Sequence, residues 1–491
     1  MKNKKVIIIG AGISGLATAA LLAKEGFKVT ILEKNKLPGG RASVWKTKGF
    51  TFDMGPSWYL MPDIFEKYFS FFGKKPEDFF KLKRLDPHYR VYFGKNDYLD
   101  IVKDLNKNLS IFESIEPGAG KKLKEFLDTA EYQYNAAIKH ILYKNFTKIS
   151  DFFTLDIAKE GRKLNVFQNL DSYISKYVKD KRLKQILEYS IVFLGGSPHN
   201  TPAFYSIMSH IDFNMGVFYP ENGIFTVIQA LVQLAESNGA RIKYNSNVDQ
   251  IVVEEGKSTG VYVKNKFIPA DIVISNADYP HTENQLLEEK WQSYSKRYWA
   301  KKTLAPSSFN LYLGIKGKIK NLKHHTLSFA NNWEIHFKDI FANPSWPDKP
   351  SYYMCCPSKT DKTVAPIGHE NLFILVPVAS GLSDSDKFRE EYSNKVISDI
   401  EDLIGEKIAD RIVVKRIYSH RDYIKDFHSY KGSALGLAHT LFQTAVFRPQ
   451  NKSKKVNNLY YVGQFTQPGI GMPMCLISAQ LVSERIQNEN K

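Results

Sequence analysis

Residues 5–15 read Lys-Val-Ile-Ile-Ile-Gly10-Ala-Gly12-Ile-Ser14-Gly15, and Glu33 closes a second apolar run, Val29-Thr-Ile-Leu32. Such glycines let backbone approach a charged ligand, and a carboxylate at this distance suits the hydroxyls of a ribose. Val6 to Ile9 is a β-branched run suited to a buried parallel strand. Gly10 permits a tight turn, Gly12 admits a pyrophosphate, and Gly15 lets the following helix pack on the strand. That helix, predicted over residues 14–25, points its positive end at the phosphates. Glu33, with Lys34 beside it, is placed at the adenosine ribose, where a carboxylate repels a 2′-phosphate. The strand, helix and acid around the glycines turn a weak signal into a dinucleotide site for FAD or NAD.

Further glycine-rich segments suggest a large cofactor held in extended form, which favours FAD. Gly39-Gly40-Arg41 follows the acidic strand end, and Arg41 is placed to neutralise phosphate charge. Asp53-Met-Gly55-Pro56-Ser57 makes a second close approach. The C-terminal run Val462-Gly463-Gln464-Phe-Thr-Gln467-Pro468-Gly469-Ile-Gly471-Met472-Pro473 is rigid and leads into a helix with Pro473 at its first turn. The dipole of that helix stabilises negative charge on a reduced flavin. Val248 and Asn276, at the ends of two later strand-like segments, complete the expected cofactor shell.

The elements that position these residues follow from periodicity. Strand–helix–strand covers residues 5–33, an aromatic helix 64–72, and a strand 89–93. Residues 118–208 read helical, with Lys among Leu, Ile, Phe and Tyr. A helix over 224–238 precedes strands at 241–244, 248–254, 258–263 and 271–275. Strands at 309–315 and 372–377, a helix at 386–403 and a strand at 459–462 complete the pattern. The expected fold is α/β: a discontinuous Rossmann-like nucleotide domain (1–105, 220–285 and 416–491) with an inserted substrate- and membrane-facing region (106–219 and 286–415).

At 491 residues and 43% hydrophobic, the chain holds two or three domains with a substantial core. Its net charge is +17, which suits an acidic partner. No zinc-ligand spacing, RNA-binding aromatic motif or helix-turn-helix signature is present, so anionic lipid fits better than nucleic acid, and no metal is expected. The stretch 140–164, with Lys144, Lys148, Lys159, Arg162 and Lys163 near Phe146, Phe152 and Phe153, suits an anionic membrane surface. The longest uncharged stretches, 189–211 and 456–483, are broken by Gly, Pro and polar residues, so membrane contact is expected to be peripheral. Three cysteines without a C-x-x-C pair, and a first strand that starts at once, predict a cytoplasmic protein at the inner face of the membrane.

The chain resembles the FAD-dependent carotenoid desaturases of the bacterial phytoene desaturase type. The resemblance rests on residues 10–15, Glu33, 39–41 and 50–57, with Ser114-Ile-Glu-Pro-Gly118, Phe193-Leu-Gly-Gly-Ser-Pro198, Gly432-Ser-Ala-Leu-Gly436, Phe447-Arg-Pro-Gln-Asn451 and Pro468-Gly-x-Gly-x-Pro473. It departs at Gln467, where the family usually has His, and at Glu221, a turn that is often uncharged. The resemblance implies a fold of the flavin amine oxidase type and desaturation of a colourless C40 polyene, with a quinone or oxygen as electron acceptor. A C30 diapophytoene desaturase, a carotenoid cis–trans isomerase, a flavin amine oxidase and a non-catalytic lipid escort remain alternatives. Hydride loss from a hydrocarbon leaves a cation, for which Tyr430, Phe442 and Phe447 are candidate aromatic neighbours. His210, Asp212, His420 and His439 are candidate proton acceptors.

Overall fold

A computed structural model describes residues 3–146, 165, 168–329 and 333–490. The nucleotide-type sheet has five parallel strands in the order Leu459–Tyr461, Ile272–Ser275, Lys5–Ile9, Lys28–Leu32 and Arg241–Lys243. Both faces are covered, which explains the unbroken apolar run of its first strand. Val6 and Ile8 pack among Leu16 and Leu22 of helix Ile13–Lys24, with helices Phe225–Ser237 and Met472–Glu489 alongside. Ile7 and Ile9 point the other way, onto Val248 and onto Ile251 and Val261 of a three-stranded antiparallel sheet.

A second, seven-stranded sheet runs in the order Ile412–Tyr418, Ser307–Lys316, His369–Val378, Tyr352–Cys355, His325–Ser328, Tyr89–Gly94 and Asp97–Ile101. Its long strands alternate. Phe309, Leu311 and Leu313 pack with Val396 and Ile400 of helix Asp386–Ile404. Ser308, Asn310 and Phe373 face a cavity instead.

Strands Lys266–Pro269, His325–Ser328, Tyr352–Cys355 and Ile412–Tyr418 were not expected from the sequence. They are short or carry charged, His and Cys residues, so their pairing comes from neighbours rather than from pattern. Strands Tyr89–Gly94 and Asp97–Ile101 join the seven-stranded sheet, although the expected nucleotide domain ran to 105. Of the basic stretch 140–164, residues 147–164 lie outside the described residues. Among the described residues, no helix is long and apolar enough to cross a membrane.

Candidate active site

The two glycine-bearing chain ends meet. Gly10 takes a left-handed backbone (φ 97°) and its amide donates to Leu32 O at 2.8 Å. Gly12 bridges to Gly39, whose amide donates to Ala11 O at 2.8 Å. Asn276 stands between the halves: a Cβ on Gly12 would lie 2.6 Å from Asn276 Nδ2, and one on Gly463 would lie 3.3 Å from Asn276 Oδ1. Ser14 Oγ donates to Cys475 O at 3.0 Å, tying the first turn of the first helix to the last helix. Both helix N-termini therefore open on one space, a natural anion site.

Glu33 is buried, and its carboxylate accepts from Ala11 N at 2.7 Å and Asn35 N at 2.8 Å. Burial raises its pKa, while those two amides pull it down. Arg41 donates to Ser429 Oγ at 3.1 Å and pairs with Asp278 at 3.4 Å. Burial lifts Asp278 to about 6. Arg41 Nε, Asp278 Oδ1 and Gln464 Nε2 are buried with no hydrogen-bond partner among the described residues, so three polar atoms around this space await a ligand.

All the expected cofactor residues except Gly15 line one cavity of about 560 Å³. Gly15 lies behind it, where its missing Cβ would sit 2.2 Å from Gly10 O. The same cavity continues over Leu327, Phe329, Trp333, Phe337, Phe373 and Leu375, a wall without a charged side chain. A profile of the flavin containing amine oxidoreductases matches residues 13–487. The chain belongs to that family. Within it, the chain belongs with the carotenoid desaturases. The carotenoid 3,4-desaturase of Haloarcula japonica is 45% identical over 489 residues, spanning 99% of this chain and 98% of that protein. The zeta-carotene-forming phytoene desaturase of Myxococcus xanthus is 33% identical over 489 residues, spanning 99% and 94%. Among solved structures, an oxidoreductase from Methanosarcina mazei superposes with TM-score 0.65 at 17% identity over 98% of this chain and 100% of that one. Putrescine oxidase bound to putrescine gives 0.63 at 12% over 99% of each. These two share the fold.

As a flavin-containing amine oxidoreductase, the chain is an FAD-dependent oxidoreductase, and the site fits an extended FAD. Glycines leave open the paths that a Cβ would fill, and Glu33, Arg41, Gln464 and the two helix N-termini are the groups that would hold it. Residues 463–473 are held from behind by Arg448, a buried guanidinium that donates to Thr466 O at 3.0 Å, Gln443 O at 3.1 Å and Gln464 O. Burial pushes Arg448 down to about 10. Lysine cannot serve three carbonyls in one plane, so Arg448→Lys is expected to weaken FAD binding about tenfold, read by titrating apoprotein and following flavin fluorescence.

The aromatic candidates of this carotenoid desaturase lie elsewhere than expected. Tyr430, Phe442 and Phe447 do not line the cavity, and Phe442 and Phe447 are exposed. The aromatic wall comes instead from Trp58, Tyr189, Phe329, Trp333, Tyr353 and Phe373. The strand expected over 372–377, which carries Phe373 and Leu375, was the one sequence signal for part of it.

Of the four candidate proton acceptors, His420 is bonded to Ala379 O at 2.8 Å and lies away from the cavity. His210 is bonded to Asn214 and is also off the cavity. His439 lines it, accepts from Ile470 N at Nε2 (3.2 Å), and therefore carries its proton on Nδ1, toward Tyr205 Oη at 2.7 Å. Its lone pair is thus occupied. Asp212 reaches the cavity through Tyr189, whose Oη donates to Asp212 Oδ2 at 3.0 Å; Tyr89 donates to the same oxygen at 2.6 Å. Burial lifts Asp212 to about 7, against the two phenol hydrogen bonds that lower it.

Proposed function

We propose that the chain desaturates an apolar C40 polyene, phytoene or a more conjugated relative, and that Tyr189, backed by Asp212, takes the proton. The observation that carries this reading is the single cavity that joins a nucleotide cradle to an uncharged aromatic wall. An amine substrate would enter as a cation, and that wall offers it no carboxylate. A hydrocarbon loses nothing by entering it.

When bound, FAD supplies the two-electron acceptor for a C–H hydride. The protein's part is to exclude water, to face the resulting cation with aromatic π-clouds, and to remove the neighbouring proton. A C–H bond beside a carbocation is so acidic that a weak base suffices. Tyr189 Oη accepts that proton as its own passes to Asp212 Oδ2, and the C–H electron pair becomes the new double bond.

A 3,4-desaturation of an already conjugated carotenoid is the second reading, favoured by the 45% identity to the Haloarcula enzyme against 33% to the Myxococcus one. The test is incubation of FAD-loaded protein in liposomes with phytoene, with a conjugated C40 carotenoid or with the C30 diapophytoene, with a quinone or oxygen as acceptor. A product absorbing at longer wavelength is expected from a C40 arm. No shift with any polyene, together with flavin reduction by an amine, would overturn the proposal.

We further propose that the substrate is drawn from the inner face of the cytoplasmic membrane. Phe442, 71% exposed, and Phe447, 41% exposed, have ring centroids 6.0 Å apart and flank Thr444 and Ala445, two half-buried residues that line the cavity. Exposed apolar rings beside the cavity on a protein of net charge +17 suit insertion into anionic lipid. Replacing both rings by Ser is expected to weaken binding to phosphatidylglycerol vesicles about tenfold or more, measured by co-sedimentation, while flavin content stays unchanged.

A further inference from the structure

Next to the cavity wall lies a second cluster that no step above uses. His325 opens strand His325–Ser328 directly opposite Cys355, the last residue of strand Tyr352–Cys355. His324 precedes it, and the three residues place one ligating atom each within 4.8 Å of the other two. All three are buried: His325 is 0%, Cys355 1% and His324 5% exposed. Cys356 is turned to the other face of the sheet, against Ser358, so a single thiol belongs to the cluster.

The hydrogen bonding is lopsided. His324 Nδ1 meets Thr360 Oγ1 at 2.8 Å, and His325 Nδ1 meets Tyr353 Oη at 2.7 Å. Nε2 of each ring is buried with no hydrogen-bond partner among the described residues. Two unpaired imidazole nitrogens are costly to bury. One ring nitrogen held by an oxygen while the other is left over is the arrangement of a metal-bound histidine. The rings are also fixed. His325 stacks on Trp58 at 4.2 Å with a 6° interplanar angle, and His324 meets Tyr219 edge-on at 4.6 Å. Burial keeps both imidazoles neutral, the form that binds metal.

We propose that His324, His325 and Cys355 bind a divalent cation of the zinc class, which pins the two strands together beneath the cavity wall. Two nitrogens and a sulfur suit Zn²⁺. Ligands about 2.0–2.3 Å from a tetrahedral ion lie roughly 3.3–3.5 Å apart, inside the 4.8 Å limit here, so binding draws the side chains in by up to about 1 Å. On binding, the Cys355 S–H bond breaks, a sulfur–metal bond forms and the proton leaves to solvent. No electron is transferred, and water fills the fourth position. Through His325 and Tyr353 the ion would also fix Ser57, whose Oγ is 2.8 Å from Tyr353 Oη.

The test uses tag-free, FAD-loaded protein made in zinc-supplemented cells. About one zinc per chain is expected by atomic emission, falling at least tenfold in Cys355→Ser and in His324→Gln. Flavin absorbance reports folding. Replacing the zinc by Co²⁺ in the unmutated protein is expected to give a thiolate-to-cobalt charge-transfer band and intense d–d bands to the red of the flavin. This second readout needs no variant to fold. Flavin-loaded protein with less than about a tenth of an equivalent of zinc and no cobalt bands overturns the proposal. So does metal that stays at full occupancy in both variants.

Discussion

Gly15→Ala is expected to produce a chain that no longer retains FAD, with affinity down at least a hundredfold. The added Cβ would lie 2.2 Å from Gly10 O and 3.2 Å from Asn276 Cβ. The first neighbour is backbone, and it belongs to a turn already fixed by a left-handed glycine at φ 97°, so it has no rotamer by which to escape. The helix must move away by about 1 Å, the gap between the clash and an ordinary contact. That shift carries off Ser14, which holds Cys475 O at 3.0 Å, and with it the alignment of both helix ends on the ligand. Gly12→Ala is expected to be milder, because its Cβ meets Asn276 Nδ2 at 2.6 Å, the end of a side chain that is able to rotate. Gly118→Ala is the control: φ is 84° but nothing lies within 4 Å, so only about 1 kcal/mol of backbone strain is added. Flavin bound per chain after gel filtration should rank unmutated and Gly118→Ala highest, then Gly12→Ala, then Gly15→Ala. A Gly15→Ala protein with full flavin content would remove the steric basis of the site.

The nucleotide half was readable in the sequence because its constraints are local. Gly10, Gly12 and Gly15 act on their own turn, and Glu33 sits at a strand end whose apolar run announces itself. The far half obeys long-range pairing. His325 faces Cys355 across an antiparallel ladder, and Tyr189 reaches Asp212 from a different element; neither spacing says so. Periodicity does not separate a ring that faces a cavity from one that faces solvent. Phe442 and Phe447 were the aromatic candidates, yet both are exposed, while Trp333 and Phe337, which no sequence signal singled out, line the wall. The strand limits 309–315 and 372–377 lay close to those observed; which of their alternate residues face the cavity and which face the helix is seen in the folded chain. The residues that face the other wall are fixed by the meeting of two sheets, which only the folded chain displays.

Asp212→Asn is expected to lower turnover by about 10²–10⁴ while FAD and substrate still bind. Asp212 contacts none of the nucleotide-lining glycines; its bonds are to Tyr89 and Tyr189. Asn retains an acceptor for one phenol but cannot take a proton, so Tyr189 has nowhere to pass its own. The effect should therefore fall on kcat, with KM nearly unchanged. The pH dependence distinguishes this from a packing defect. Asp212 is raised to about 7, chiefly by burial, so it is protonated below that value and cannot act as acceptor. The rate of the unmutated protein should rise with pH through about 7 and level off above it. The Asn variant should lack that step, and Tyr189→Phe should be slow at every pH. The linked cost has the opposite sign. A carboxyl whose folded pKa lies above its unfolded value of 3.8 binds its proton more tightly in the native state, so its share of stability is full below about 4 and is lost as pH rises to about 7. Asn carries no such charge, so between about pH 4 and 7 the variant should lose less thermal stability than the parent. A variant that is slower but keeps the parent's pH step would place the proton acceptor elsewhere.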